Sequence, residues 1–268
     1  MPSYAIVGAS RGLGLAWLQF LSKDSNNTVI GLARDVEKTK ETLVAEKITG
    51  VHLFHGDLAN KKSLEAAAAS AAEVLPNGLD VIIINGVYVT VETNKMTVSD
   101  LAAQPDLLHR DMHTSLDVNV LGSIYAVNAF LPLILKGSQK KIVFISSGHA
   151  DIELPVPAEI PDMVTYATMK GAIAMIGAKY AAELKSKDVK VLTLSPGLVA
   201  TSMNNNPSEE DMAYFVKLLT SFKRLFPYWR ASPLSPAESV GHQFNVIENL
   251  TIADTGKFLS HWGNKTWL

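Results

Sequence analysis

Short, nearly continuous apolar runs recur along the chain, separated by stretches whose apolar positions return every three or four residues. The runs are Tyr4 to Val7, Thr28 to Leu32, Val51 to His55, Val81 to Ile84, Ile142 to Ile145, Val189 to Leu194 and Lys257 to Leu259. Such continuity predicts strands covered on both faces, as in a parallel sheet. Between them Leu13, Trp17, Leu18 and Leu21 follow a helical period, as do the apolar positions of Leu64 to Leu75, Leu107 to Leu135 and Met163 to Leu184. Strand and helix alternate. Right-handed crossovers turn that alternation into an α/β fold, a Rossmann-like, doubly wound sheet of seven mostly parallel strands with helices on both faces. Ligands of such a sheet sit beyond the carboxyl ends of its strands, so functional residues are expected directly after strands.

Two segments break the rhythm. HADIELPVPAEIPDM, residues 149–163, carries three prolines and reads as an ordered loop. Residues 200–236 hold Asn204, Asn205 and Asn206, a short apolar helix and then SPLSP. Both follow predicted strands, and both are expected to act as substrate loops or lids of one 268-residue domain. The alanine-rich stretch from Glu65 to Leu75 reads as a surface helix without chemistry.

Composition narrows the partners. With 24 basic and 26 acidic residues the formal charge is −2, and no run of like charge offers a nucleic-acid surface. The absence of cysteine removes disulfides and thiolate chemistry and suits a reducing compartment. The N-terminus lacks a basic region followed by a long apolar stretch. The most apolar segment, Val120 to Leu135, contains Asn128 and Pro132 and is too short and polar to span a bilayer. The expectation is a cytoplasmic protein with a small ligand and no membrane partner. Sequons at Asn26, Asn249 and Asn264 then carry no weight.

The first strand runs into GASRGLG, where Gly8, Gly12 and Gly14 open a helix. Glycines there let backbone approach a pyrophosphate at the positive end of a helix, although a tight turn without a ligand has the same look. Further along stand GDL at Gly56 to Leu58, DVIIING at Asp80 to Gly86, LDVNVLGS at Leu116 to Ser123, Tyr166-Ala-Thr-Met-Lys170, and SPGLVAT at Ser195 to Thr201. In this order and spacing, over almost the whole chain, they resemble the short-chain dehydrogenase/reductase family. Within it, GLDVIIING and the ending TGKFLSHWGNKTW resemble the C-factor and Sniffer type of carbonyl reductase and norsolorinic acid ketoreductase.

The resemblance implies a nicotinamide dinucleotide held by Gly8, Ser10, Arg11, Gly12, Leu13 and Gly14. It sets Asp57 and Leu58 against the adenine, and Asn85 and Gly86 beneath the cofactor. Pro196 and Gly197 then lie beside the nicotinamide, and Val199 and Thr201 grip its carboxamide. An acidic residue after the second strand accepts from a ribose 2′-hydroxyl and repels a 2′-phosphate. Here Ala33 and Arg34 occupy that corner, and Arg11 adds a second cation, which favours NADP(H). Asp35 keeps NAD(H) open should it reach the ribose.

Tyr166 and Lys170 stand one helical turn apart on one face. A phenol titrates near 10, and an adjacent ammonium lowers that value, so Tyr166 can exchange a proton with a carbonyl or alcohol oxygen. The resemblance assigns Ser147 to hydrogen-bond the substrate carbonyl, with Ser146 as an alternative. It assigns Asn119 to kink its helix and hold a proton-relay water beside Lys170. It also implies pairing into a homodimer or homotetramer through the long helices containing Asn119 and Tyr166.

Three positions depart from the family pattern. Val7 stands for a threonine and Ile84-Asn85-Gly86-Val87 for NNAG, which weakens the hydrogen bonds between glycine turn and fourth strand. The 19-residue separation of Ser147 and Tyr166 is longer than usual. The extra residues are expected to form a proline-stiffened wall facing Phe215, Leu218, Phe222, Leu225, Phe226, Tyr228 and Trp229, a surface for an apolar or aromatic ketone or aldehyde. An ordinary amphipathic helix burying its own apolar side explains the same aromatics. His149 either contacts substrate from its loop or, as is commoner for a loop histidine, stands in solvent, and His109 with His113 lacks a third metal ligand. The reading is an NADPH-dependent carbonyl reductase. A silent cofactor-binding sensor or scaffold, and a dehydration, epimerisation or cyclisation on the same fold, are the alternatives.

Overall fold

The computed structural model describes residues 1–201 and 208–268; Asn204, Asn205 and Asn206 lie outside the described residues. Seven strands form one sheet in the order β3-β2-β1-β4-β5-β6-β7. They are β1 (Ser3–Val7), β2 (Thr28–Ala33), β3 (Val51–His55), β4 (Val81–Ile84), β5 (Lys141–Ile145), β6 (Lys190–Ser195) and β7 (Phe258–Ser260). Every pairing is parallel. β1, β4 and β5 are buried at every position, as unbroken apolar runs demand. β3 differs from that expectation because it is an edge strand, and His52 and His55 are exposed.

Two apolar layers cover the sheet. On one face Phe130, Val127 and Ile134 of α6 (Gly122–Lys136) and Tyr180, Ala181 and Leu184 of α8 (Val164–Leu184) pack on Ile82, Ile142 and Phe144. On the other, Trp17, Leu18 and Leu21 of α1 (Gly12–Leu21) and Val240 and Ile247 of α10 (Pro236–Glu248) pack on Ile6, Ile83 and Leu192. The alanine-rich stretch is more than a surface helix. α3 (Lys61–Val74) lays Leu64, Ala67, Ala68 and Ala71 into the core, their small size permitting close approach. Residues 149–163 likewise carry more structure than a loop, with a 3₁₀ turn at Gly148–Ala150 and one helical turn, α7 (Pro155–Ala158).

One carboxylate ties the lower edge of the sheet together. One oxygen of Asp80 accepts from the Ser3 amide at 3.0 Å and hydroxyl at 3.2 Å. The other accepts from the Ser138 amide at 2.9 Å, its hydroxyl at 2.7 Å and the Gln139 amide at 3.0 Å. Burial pushes this carboxyl up, but those hydrogen bonds outweigh burial and hold it below the usual carboxylate range. Replacing it strands several buried donors, so Asp80→Ala is expected to cost roughly 2–4 kcal/mol. Thermal denaturation at neutral pH should show a fall of about 5–10 °C. Because the folded carboxyl is the stronger acid, its contribution fades as pH falls below about 4, and the gap between native protein and variant should narrow there. Equal melting temperatures at neutral pH would overturn this role.

Candidate active site

The glycine turn is built for close approach. Gly8 has φ +82°, and a β-carbon on it would lie 2.4 Å from the Gly86 α-carbon. A β-carbon on Gly14 would lie 2.0 Å from the Gly8 carbonyl oxygen. The Asn85 and Gly86 amides both donate to the Val7 carbonyl, at 3.1 and 2.8 Å, and Asn85 Nδ2 donates to the Gly8 carbonyl at 3.0 Å. The first two departures from the family pattern thus leave turn and fourth strand joined, because backbone and Asn85 make the link without a threonine. Gly12, at φ +56°, faces the Thr201 side chain across a gap that a β-carbon would narrow to 3.5 Å. Ser10 and Arg11 are exposed at the mouth, while Leu13 packs on the second apolar layer.

At the adenosine corner Arg34 is exposed directly after β2. Asp35 is engaged elsewhere, since it caps α2 (Val36–Ala45) by accepting from the Lys38 amide at 3.0 Å. Asp57 accepts from the Ala59 amide at 3.0 Å and shapes its own turn. Leu58 is buried, with its backbone against Gly122 and its side chain against Gly86. The glycine cradle fits a nicotinamide dinucleotide.

The reacting side chains gather at the end of β5. Ser146 is buried, and its hydroxyl donates to the Lys170 carbonyl at 3.0 Å, so it faces helix backbone. Ser147 faces the other way, toward Tyr166. Burial raises the Tyr166 phenol above its ordinary value, and interaction with the Ser147 hydroxyl opposes that rise. The Lys170 ammonium lies 5.8 Å from the Tyr166 ring centre and donates to the Ile145 carbonyl at 2.7 Å. Asn119 sits in a π-helical turn, Leu116–Leu121, between α5 (Pro105–Ser115) and α6. Its side chain accepts from the Tyr88 amide at 2.7 Å and donates to the Tyr88 carbonyl at 2.9 Å. Asn119 thereby pins the β4 loop above the site, and the π-turn supplies the kink expected of it.

Comparisons with known proteins agree with this arrangement. The short chain dehydrogenase family model matches residues 3–212. A short-chain dehydrogenase/reductase of Aspergillus aculeatus, AacuF, is 38% identical over 270 residues, covering all of both chains. A short chain dehydrogenase of Hypocrea virens, virK, is 35% identical over 273 residues, again covering both chains completely. The chain belongs to the short-chain dehydrogenase family. Among solved structures, the NADPH-bound carbonyl reductase from chicken fatty liver superposes with TM-score 0.77 at 24% identity, covering 98% of each chain. The carbonyl reductase Sniffer of Drosophila melanogaster does so with TM-score 0.77 at 21% identity and the same coverage. These two likenesses establish the fold.

This dehydrogenase carries its site on supports that sequence patterns did not reveal. Gly197, at φ +80°, lies against the His261 imidazole, which a β-carbon would approach to 2.7 Å. The Ser239 hydroxyl holds the Pro196 carbonyl at 2.7 Å. Val199 bridges Leu234, and Thr201 turns back to donate its amide to the Val199 carbonyl at 2.9 Å. The only trace of His261 in sequence is its place in the C-terminal motif.

Residues 149–163 pack against a helix further along the chain. The Tyr214 hydroxyl of α9 (Glu209–Leu225) donates to Asp162 at 2.9 Å, and Arg224 pairs with Glu159 at 3.0 Å. Leu154, Ala158 and Ile160 pack with Leu218, Phe222, Leu225, Phe226, Trp229 and Trp267. α9 is a full 17-residue helix rather than a short one, and Tyr228 departs from the predicted apolar surface by standing fully in solvent. His149 is half-buried above Tyr166 instead of standing in solvent.

Burial lowers the Lys170 amine from its ordinary 10.5 to about 8. Between about pH 8 and 10.5 the unfolded chain therefore binds more protons, and this group makes the fold more stable as pH rises through that window. Measured against Lys170→Met, the native melting temperature is expected to gain from pH 8 to pH 10. A constant difference would overturn the burial argument.

Proposed function

We propose that this chain is an NADPH-dependent reductase of ketones or aldehydes in which Tyr166 is the general acid. The observation that carries the reading is the meeting of Tyr166, Ser147 and Lys170 at the carboxyl end of β5, in a sheet whose first strand ends in a glycine cradle. NADPH, when bound, supplies the hydride. Ser147 orients the carbonyl oxygen toward the phenol. Tyr166 is protonated at neutral pH, its phenol held above its ordinary value by burial, and it gives that proton to the carbonyl oxygen as hydride arrives. Lys170 restores the proton and stabilises the phenolate formed in the step. Asn119 fixes the loop that closes the site from the β4 side.

The cofactor preference follows from charge. Arg11 and Arg34 are exposed at the corner where a 2′-phosphate would lie, and Asp35 is occupied as a helix cap. The apolar wall between residues 149–163 and α9 suits an apolar or aromatic carbonyl compound.

Absorbance of NADPH across aromatic ketones, quinones and aliphatic aldehydes tests the reaction. Tyr166→Phe is expected to bind NADPH normally and lose about 10²–10⁴-fold in turnover. Tight NADPH binding by native protein with no turnover in the panel would favour a sensor. For the cofactor, Arg34→Ala is expected to raise the NADPH KM about 10- to 100-fold and leave NADH nearly unchanged. Equal effects on both cofactors would overturn the phosphate role.

A further inference from the structure

The steps above leave His149 unused. It lies in the 3₁₀ turn directly after β5, and its amide donates to the Ser147 hydroxyl oxygen at 3.3 Å. That turn sets the imidazole between two aromatic rings. The Tyr166 ring centre is 6.1 Å away at an interplanar angle of 72°, and the Phe222 ring centre is 6.0 Å away at 60°. Phe222 belongs to α9, so His149 stands where the reacting hydroxyls meet the substrate wall.

Its polar atoms are unspent. Among the described residues, no side-chain hydrogen bond engages either ring nitrogen, although the ring is only partly exposed. Burial lowers the imidazole to about 4, so at neutral pH it is uncharged, with one nitrogen donating and the other accepting. A neutral imidazole beside an apolar wall matches a hydroxyl or a carbonyl. With ring centres 6.1 Å apart, the imidazole can address a substrate atom other than the carbonyl oxygen that Ser147 and Tyr166 address.

We propose that His149 determines specificity by hydrogen-bonding a second oxygen of the substrate, a few bonds from the carbonyl that is reduced. The substrate class is thereby narrowed to hydroxy-ketones or dicarbonyl compounds with an apolar or aromatic body. This inference rests on the reductase reading. A site with a buried polar group discriminates strongly against an analogue that leaves it unpaired, whereas an apolar wall discriminates weakly.

The test compares NADPH consumption with acetophenone, its 2′- and 3′-hydroxy derivatives and 1-phenyl-1,3-butanedione. Native protein is expected to favour at least one doubly oxygenated ketone over acetophenone by about 10-fold or more in kcat/KM. His149→Phe, which keeps the aromatic contacts, should lower kcat/KM for that substrate about 10- to 100-fold and change acetophenone by less than about 3-fold. His149→Asn, which retains a donor and an acceptor, should recover part of the loss. NADPH affinity, followed by fluorescence, should be the same in all three proteins. If the preference survives His149→Phe, or if all substrates fall together, the inference is overturned while the reductase reading stands. If native protein reduces none of the four but turns over other carbonyl compounds of the wider panel, the inference is overturned while the reductase reading stands; if it turns over nothing in that panel, both fall.

Discussion

Gly8 and Gly86 meet where the strand order reverses, so closely that any β-carbon on Gly8 would strike the backbone of its partner. Everything on the cofactor side follows from this approach. It lets the turn after β1 bend into α1, brings Asn85 under the Gly8 carbonyl, and leaves Gly12 facing Thr201 across the crevice. A bulkier residue at Gly8 would force the two turns apart at the point where a doubly wound sheet opens to its ligand.

The reacting end depends on burial in place of backbone proximity. Lys170 is almost wholly enclosed, with one carbonyl as partner, and Tyr166 lies between that amine and the wall. Low polarity acts on the two in opposite directions, pushing the phenol up and the amine down, so both are drawn toward their neutral forms. Burial thus disfavours the phenolate–ammonium pair relative to the neutral one. Asn119 contributes as a strut: its amide is committed to both polar groups of Tyr88, and the π-turn leaves it room to reach them.

Above this centre, α9 is held at both ends. Lys95 pairs with Asp211 at 2.7 Å near its start, and Arg224 pairs with Glu159 near its finish. Exposed ion pairs contribute little each to stability. Their effect is to set the register in which Phe222 and Trp229 face Leu154, Ile160 and Trp267. His149 lies beside this cluster, its ring centre 6.0 Å from that of Phe222.

By itself, the sequence determined the seven strands to within a residue or so, because unbroken apolar runs leave a buried parallel strand little freedom of register. It also determined the glycine turn, the Tyr166 and Lys170 pair and the family, since those depend on residue type at short fixed spacing. Tertiary structure alone decided matters that rest on which distant atoms meet. Ser147 rather than Ser146 faces Tyr166 because the Ser146 hydroxyl is consumed by a carbonyl on a helix 24 residues away. Asp35 caps α2, and His149 is partly withdrawn from solvent because Phe222, far along the chain, packs beside it. A linear pattern records local propensity and burial; long-range hydrogen bonds and packing come into being only when the chain has folded.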